Sequence, residues 1–272
     1  MSGWKSRGDH FEQFPLWDAE TDQRTIDVYR AQNGPERSRA VVVCLAGGGY
    51  QNRSWHEGPG TATWLAMHGV TTAVVPYRVK SEIAEHETLH PQPLRDACRA
   101  VRVVRDHAEQ LDIDPSRVCV LGYSAGGHLA GSVATMHTTS FQGDTLAPEH
   151  TARPNAVAMI YPVVSLVPPC HEGSAKALLG ATATTDDRES LSLQRRVSPN
   201  PAPLFLVHAQ DDASVPLDGA LRFAAKCRAA GGDVASHIFP KGGHGFGLGL
   251  DRPSVKHWPR LFLDWLRATL DA

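Results

Sequence analysis

The chain has 272 residues, 42% hydrophobic and 21% charged, with 27 Lys and Arg against 29 Asp and Glu for a net charge of −2. That size suits one or two domains, and the composition is that of an ordinary globular protein. A balanced charge without basic runs excludes an electrostatic nucleic-acid binder and offers nothing to an anionic membrane, and there is no stretch of 18 apolar residues to span one.

Met1 to His10 carry no apolar leader run, so a cytoplasmic protein is expected, with a secreted protein stripped of its signal as the alternative. The first β-type run is Thr25–Tyr29. Ala40–Ala46 follows and leads into Gly47-Gly48-Gly49-Tyr50. Three glycines after a buried strand let backbone N–H groups approach a ligand with no Cβ in the way. Tyr50 and Trp55, just beyond, are candidates to line a ligand subsite or to pack as surface aromatics on a helix. Val70–Val75 is the next strand. Pro93 to Leu111 carries Leu94, Ala97, Cys98, Val101, Val104, Ala108 and Leu111 at helical spacing, stopped by Ile113-Asp114-Pro115. Asp96, Arg99 and Arg102 on that helix read as a surface charge set.

Val118–Leu121 runs into Gly122-Tyr123-Ser124-Ala125-Gly126, and Gly127–Ala134 continues as a small-residue helix in which His128 is expected to cap or pack. A strand-to-helix turn this sharp strains its central residue and needs small neighbours. It also lifts the Ser124 hydroxyl to a helix N-terminus, where negative charge is favoured. The pentapeptide alone arises by chance in about one chain in ten of this length, so Ser124 needs partners elsewhere. Ala156–Tyr161 is a further strand. Residues 162–203, rich in Pro, Ser, Thr and Ala, read as a short cap or insertion near the site, with His171 as a candidate substrate contact. Leu204–His208 leads into Asp211-Asp212, acids that can orient an imidazole or simply form a turn. Leu217–Ala230 is helical and ends at Gly231-Gly232. Val234–Phe239 leads into Gly242-Gly243-His244-Gly245, and Pro259–Leu270 closes the chain as a helix.

The near-continuous apolar runs are those of strands buried on both faces. Their alternation with helices predicts an α/β fold: one domain over 1–272, with a mostly parallel central sheet and helices on both faces. The glycine loop, Ser124, the acid pair and His244 each fall at the C-terminal end of a different strand, where ligands of such sheets bind. Their chain order is that of α/β-hydrolases, not of chymotrypsin-like or subtilisin-like enzymes. The five cysteines, odd in number and without C-x-x-C, read as reduced thiols. No dense His, Cys or acid cluster indicates a metal, and no cofactor is expected.

From residue 25 to the C-terminus the chain resembles α/β-hydrolase esterases of the acetylxylan-esterase-like group, which includes bifunctional acetyl and feruloyl esterases. The resemblance is carried by GGGY at 47–50, HPQPLRDACRAVRVVR at 90–105, LGYSAGGHLAGSVAT at 121–135, RPNAVAMIYPVVS at 153–165, FLVHAQDDASVP at 205–216 and GGHGFGL at 242–248. It implies a catalytic triad of Ser124, His244 and Asp212, the acid being that of D-x-x-V-P. It implies an oxyanion hole from Ala125 with Gly48 and Gly49, although Ala46 stands where many esterases carry the histidine of HGGG, which leaves the second donor open among Gly48, Gly49 and Tyr50. The implied activity is hydrolysis of short acyl esters, acetyl groups on xylan fragments among them, with a small-molecule ester as partner. A formamidase or small peptidase on the same triad, and a non-catalytic hydrolase-like binding protein, are the alternatives.

Overall fold

The apolar runs fold as strands because β-branched and other apolar side chains fill both faces of a covered sheet. In the computed structural model the described residues are 11–17, 22–32, 34, 37–139, 141, 143–147 and 149–271. Met1 to His10, on which the localisation expectation rests, lie outside them. The strands are β1 (Phe11–Pro15), β2 (Thr25–Tyr29), β3 (Val41–Leu45), β4 (Thr71–Val74), β5 (Val118–Tyr123), β6 (Ala156–Ile160), β7 (Leu204–Ala209) and β8 (Val234–Phe239). They form one sheet in the order β1-β2-β4-β3-β5-β6-β7-β8. The β1–β2 and β2–β4 pairings are antiparallel, and every pairing from β4 to β8 is parallel. β1 has no counterpart among the runs in the sequence. It is a short edge strand in which only Phe14 is buried, so pairing with β2 rather than its own pattern makes it a strand.

The helices are α1 (Pro59–Met67), α2 (Gln92–Asp106), α3 (Ala108–Leu111), α4 (Ser124–Met136), α5 (Glu172–Leu179), α6 (Thr185–Leu191), α7 (Leu217–Ala229) and α8 (Trp258–Leu270). Alternate strand residues join two separate cores. Val41, Val43, Val120 and Leu206 cluster with Val101, Leu129 and Phe223 of α2, α4 and α7. Val42, Cys44, Leu121 and Val207 cluster with Leu65 of α1 and Phe262 and Leu266 of α8. The sheet is thus covered on both faces, and its parallel strands deliver their C-terminal ends to one edge.

The helix expected over Pro93 to Leu111 is two helices. The chain turns at His107, whose Nδ1 lies 2.9 Å from the Val103 carbonyl and whose ring packs 4.3 Å from that of Phe14. The charge set on α2 is buried, contrary to the surface reading. Asp96 accepts hydrogen bonds from Trp17 Nε1 and from the Arg24 and Arg78 guanidiniums, while Arg99 and Arg102 both hold Asp144. The β1–β2 edge and the segment around Asp144 cover this face, and buried charges persist because each is paired. The cysteines are free thiols, and burial pushes Cys98 up to about 12 and Cys227 up to about 11, away from nucleophilic character. Among the described residues no helix is long and apolar enough to cross a membrane.

Candidate active site

β5 passes into α4 with no intervening residue, and Ser124, the first residue of the helix, has φ +51°. A non-glycine residue in that region is strained, and the packing around it holds it there. A Cβ on Gly122 would lie 2.0 Å from the Gly126 carbonyl oxygen, and one on Gly126 would lie 2.2 Å from that of Leu45. The two flanking glycines are therefore what allow the helix to start this close to β3 and β5. The first-turn N–H groups of α4, Ala125 included, have no intrahelical acceptor.

Ser124 Oγ lies 2.8 Å from His244 Nε2, and His244 Nδ1 lies 2.7 Å from Asp212 Oδ2. Since the carboxylate only accepts, Nδ1 carries the imidazole hydrogen and Nε2 is free to accept the serine O–H. The His244 side chain is 22% exposed and that of Asp212 is fully buried. Burial alone would raise the Asp212 carboxyl, but hydrogen bonds from His208, His244 and the Val215 N–H outweigh it and hold it well below the usual carboxylate range. Asp211 is placed differently. It is exposed and accepts the Gly243 N–H at 2.8 Å, bracing the loop ahead of His244.

In the glycine loop, the Gly47 N–H donates to Glu57 Oε2 at 2.7 Å and is not available to a ligand. The Gly48 carbonyl accepts from Gln51 and Asn52, closing a turn that gives Gly48 a φ of +125°. The N–H groups of Gly48 and Gly49 remain for an oxyanion. Tyr50 departs from the expectation of a substrate-lining aromatic. Its side chain is only 1% exposed and its hydroxyl donates to His128 Nδ1 at 2.8 Å, while His128 Nε2 donates to the Leu191 carbonyl at 2.9 Å. Burial lowers His128 to about 4, which keeps it neutral in that chain of bonds. Tyr50 thus ties the glycine loop to α4 and to the end of α6.

Trp55 is 54% exposed and borders a cleft of about 220 Å³ with Asp27, Ala46, Arg53, Val74 and Pro76. His171, at the N-terminus of α5, accepts the Ser174 N–H on Nδ1 at 3.1 Å, which leaves the ring hydrogen on Nε2. Its Cε1 would lie 3.7 Å from a Cβ on Gly49, so the ring stands over the glycine loop. Burial, and then the charge of His244, lower its pKa.

Two residues had no signal in the sequence. Glu57 is a lone acid after the glycine loop, yet it is buried, with Oε1 accepting the Tyr161 O–H at 2.6 Å. The Tyr161 hydroxyl accepts the Gly247 N–H at 2.9 Å, and the Tyr161 ring packs edge-on to His244 with centroids 4.9 Å apart. Glu57 therefore links the loops that follow β3, β6 and β8. Glu57→Gln replaces an acceptor of two hydrogen bonds by a group with one donor end facing a donor. It is expected to lower kcat on p-nitrophenyl acetate by roughly ten- to a hundredfold, by displacing the glycine loop, with KM little changed. Steady-state kinetics beside a thermal melt checks this, and a wild-type kcat would remove Glu57 from any part in the site.

A mostly parallel sheet with a serine turn after its central strand defines an α/β-hydrolase fold. Residues 26–227 match the family described as BD-FAE. Endo-1,4-beta-xylanase B of Butyrivibrio fibrisolvens is 32% identical over 213 residues, 78% of this chain and 33% of that protein. Acetylxylan esterase of Xylanibacter ruminicola is 32% identical over 218 residues, 78% of this chain and 42% of that protein. The chain therefore spans less than half the length of these two relatives. The crystal structure of an acetyl ester-xyloside bifunctional hydrolase from Caldicellulosiruptor lactoaceticus matches with a TM-score of 0.84 at 36% identity, over 98% of each chain. The chain belongs to the BD-FAE family of α/β-hydrolases.

Proposed function

We propose that the chain hydrolyses short acyl esters, acetyl esters above all, on carbohydrates such as acetylated xylan fragments, through Ser124, His244 and Asp212. The observation that carries this is the unbroken hydrogen-bond chain from Ser124 Oγ to Asp212 across three strand ends. Ser124 Oγ attacks the ester carbonyl while His244 Nε2 takes its proton, and the imidazolium returns that proton to the departing alcohol. Asp212 holds the tautomer and stabilises the imidazolium. The Ala125 N–H, with Gly48 or Gly49, receives the developing oxyanion, and loss of one such donor costs about 3–4 kcal/mol in the barrier. Water, activated by the same imidazole, then releases the acid and regenerates Ser124.

The short-acyl preference is supported by the insertion, whose α5 and α6 have eight and seven residues and form no long apolar lid. It is supported also by the polar His171 ring over Gly49. A carbohydrate alcohol suits the exposed Trp55 face beside Asp27 and Arg53, an aromatic platform flanked by hydrogen-bonding groups, and the Nε2–H of His171 as a donor to a sugar hydroxyl. Relatives named for acetylxylan and acetyl ester-xyloside hydrolysis support the same substrate class. The test is a series of p-nitrophenyl esters from acetyl to dodecanoyl, beside acetate release from acetylated xylo-oligosaccharides. kcat/KM is expected to fall about tenfold or more between acetyl and octanoyl. A maximum at octanoyl or longer, with no acetate released from the oligosaccharides, would overturn the proposal.

A further inference from the structure

We propose that His208 is a positioning residue for ester hydrolysis, fixing the Asp212 carboxylate so that its Oδ2 meets His244. This rests on the triad proposed above. His208 lies near the end of β7, four residues before Asp212, and its side chain is fully buried. Its Nε2 lies 3.1 Å from the Val215 carbonyl oxygen and 3.2 Å from Asp212 Oδ2. Both are acceptors, so Nε2 carries the ring hydrogen and shares it between them. Nδ1 then points a lone pair into the interior, and it has no hydrogen-bond partner among the described residues. An apolar side chain at this position would avoid that unpartnered buried nitrogen, whose desolvation is unfavourable. What an apolar side chain cannot supply is the donor at Nε2.

With that donor the Asp212 carboxylate is held from four directions. Oδ1 accepts the Ser214 and Val215 N–H groups, each at 2.9 Å. Oδ2 sits between the two imidazoles of His208 and His244. The backbone pair fixes one oxygen and His208 fixes the rotation that aims the other. The other titratable groups near this point are His171 from the insertion and the adjacent Asp211, which is exposed and bound to the Gly243 N–H. None of these supplies a donor to Oδ2 among the described residues.

The consequence is chemical as well as geometric. A carboxylate that shares Oδ2 with His208 stabilises the His244 imidazolium less than one devoted to it. Removing His208 should therefore disorder Asp212 and, where the His244 contact survives, make His244 easier to protonate. A space-filling role predicts neither change.

The experiment compares His208→Ala, His208→Gln and His208→Asn on p-nitrophenyl acetate across pH, with circular dichroism and thermal melts alongside. His208→Ala is expected to lower kcat about a hundredfold. KM stays within about twofold, and the acid limb of kcat/KM moves up by about one pH unit. His208→Gln, whose amide N–H reaches the Nε2 position, restores most of both; His208→Asn, which reaches only the Nδ1 position, does not. If His208→Ala fails to fold, the ranking of Gln over Asn carries the test. Wild-type kcat and acid limb in His208→Ala would overturn the proposal, as would equal losses in Gln and Asn with no movement of the limb. Ser124→Ala, assayed in parallel, separates the two levels. Turnover in that variant would remove the triad itself, whereas an inactive Ser124→Ala beside unaffected His208 variants removes only the role of His208.

Discussion

Ser124→Ala is expected to lower kcat on p-nitrophenyl acetate by about a millionfold, to the residue of catalysis that an oxyanion hole and binding supply without a nucleophile. The size follows from what the hydroxyl does. In the proposed mechanism it is the atom that forms the acyl-enzyme bond, and its side-chain hydrogen-bond partner among the described residues is His244 Nε2 at 2.8 Å. The fold should survive, because the strained turn is held by backbone contacts around Gly122 and Gly126, which the substitution leaves alone. Far-ultraviolet circular dichroism unchanged from wild type, together with lost labelling by a fluorophosphonate probe, completes the expected result. Ordinary turnover in a folded Ser124→Ala protein would move the nucleophile elsewhere.

The second large effect concerns the two adjacent acids. Asp212→Asn is expected to lower kcat by about ten thousandfold. An amide at this position can turn its NH₂ toward His244, which drives the imidazole hydrogen from Nδ1 to Nε2 and removes the base that Ser124 needs. Asp211→Asn should lose less than about tenfold, since its carboxylate is exposed and braces only the Gly243 N–H, a bond an amide oxygen also accepts. The Asp212 carboxyl is held below the usual range, so the wild-type acid limb does not report its protonation. kcat for both variants, measured on one ester at one pH above that limb, decides between them. The opposite ranking would assign the acid one residue earlier.

Much of this architecture is legible in the sequence alone. Thr25–Tyr29 and Val234–Phe239 coincide with β2 and β8. The long apolar runs around Val42 and Val120 could be nothing but covered strands, because burial on both faces leaves no polar alternation. The strand ends were equally plain, since glycines, aspartates and prolines punctuate each of them. What failed were the readings of the α2 charges and of Tyr50, which turn on a covering partner from elsewhere in the chain. Asp96, Arg99 and Arg102 look solvated on a helical wheel, and only the β1–β2 edge and Asp144 make them buried. Tyr50 sits where a substrate-lining aromatic belongs, and only the inward turn toward His128, 78 residues away, removes it. Glu57 is an unremarked acid until Tyr161, 104 residues on, closes over it.

The sequence by itself determined the order of elements and which segments end at the site edge, because strand burial and turn chemistry are written in neighbouring residues. Only the tertiary structure decided the geometry in which Ser124, His244 and Asp212 meet, which loop N–H groups stay unbonded, and that a second histidine shares the acid. Those outcomes rest on hydrogen bonds across 32 residues for Asp212 and His244 and 120 for Ser124 and His244. Local pattern brings such groups to the same edge of the sheet, but side-chain direction and distance at that edge are set by how the helices pack on its two faces.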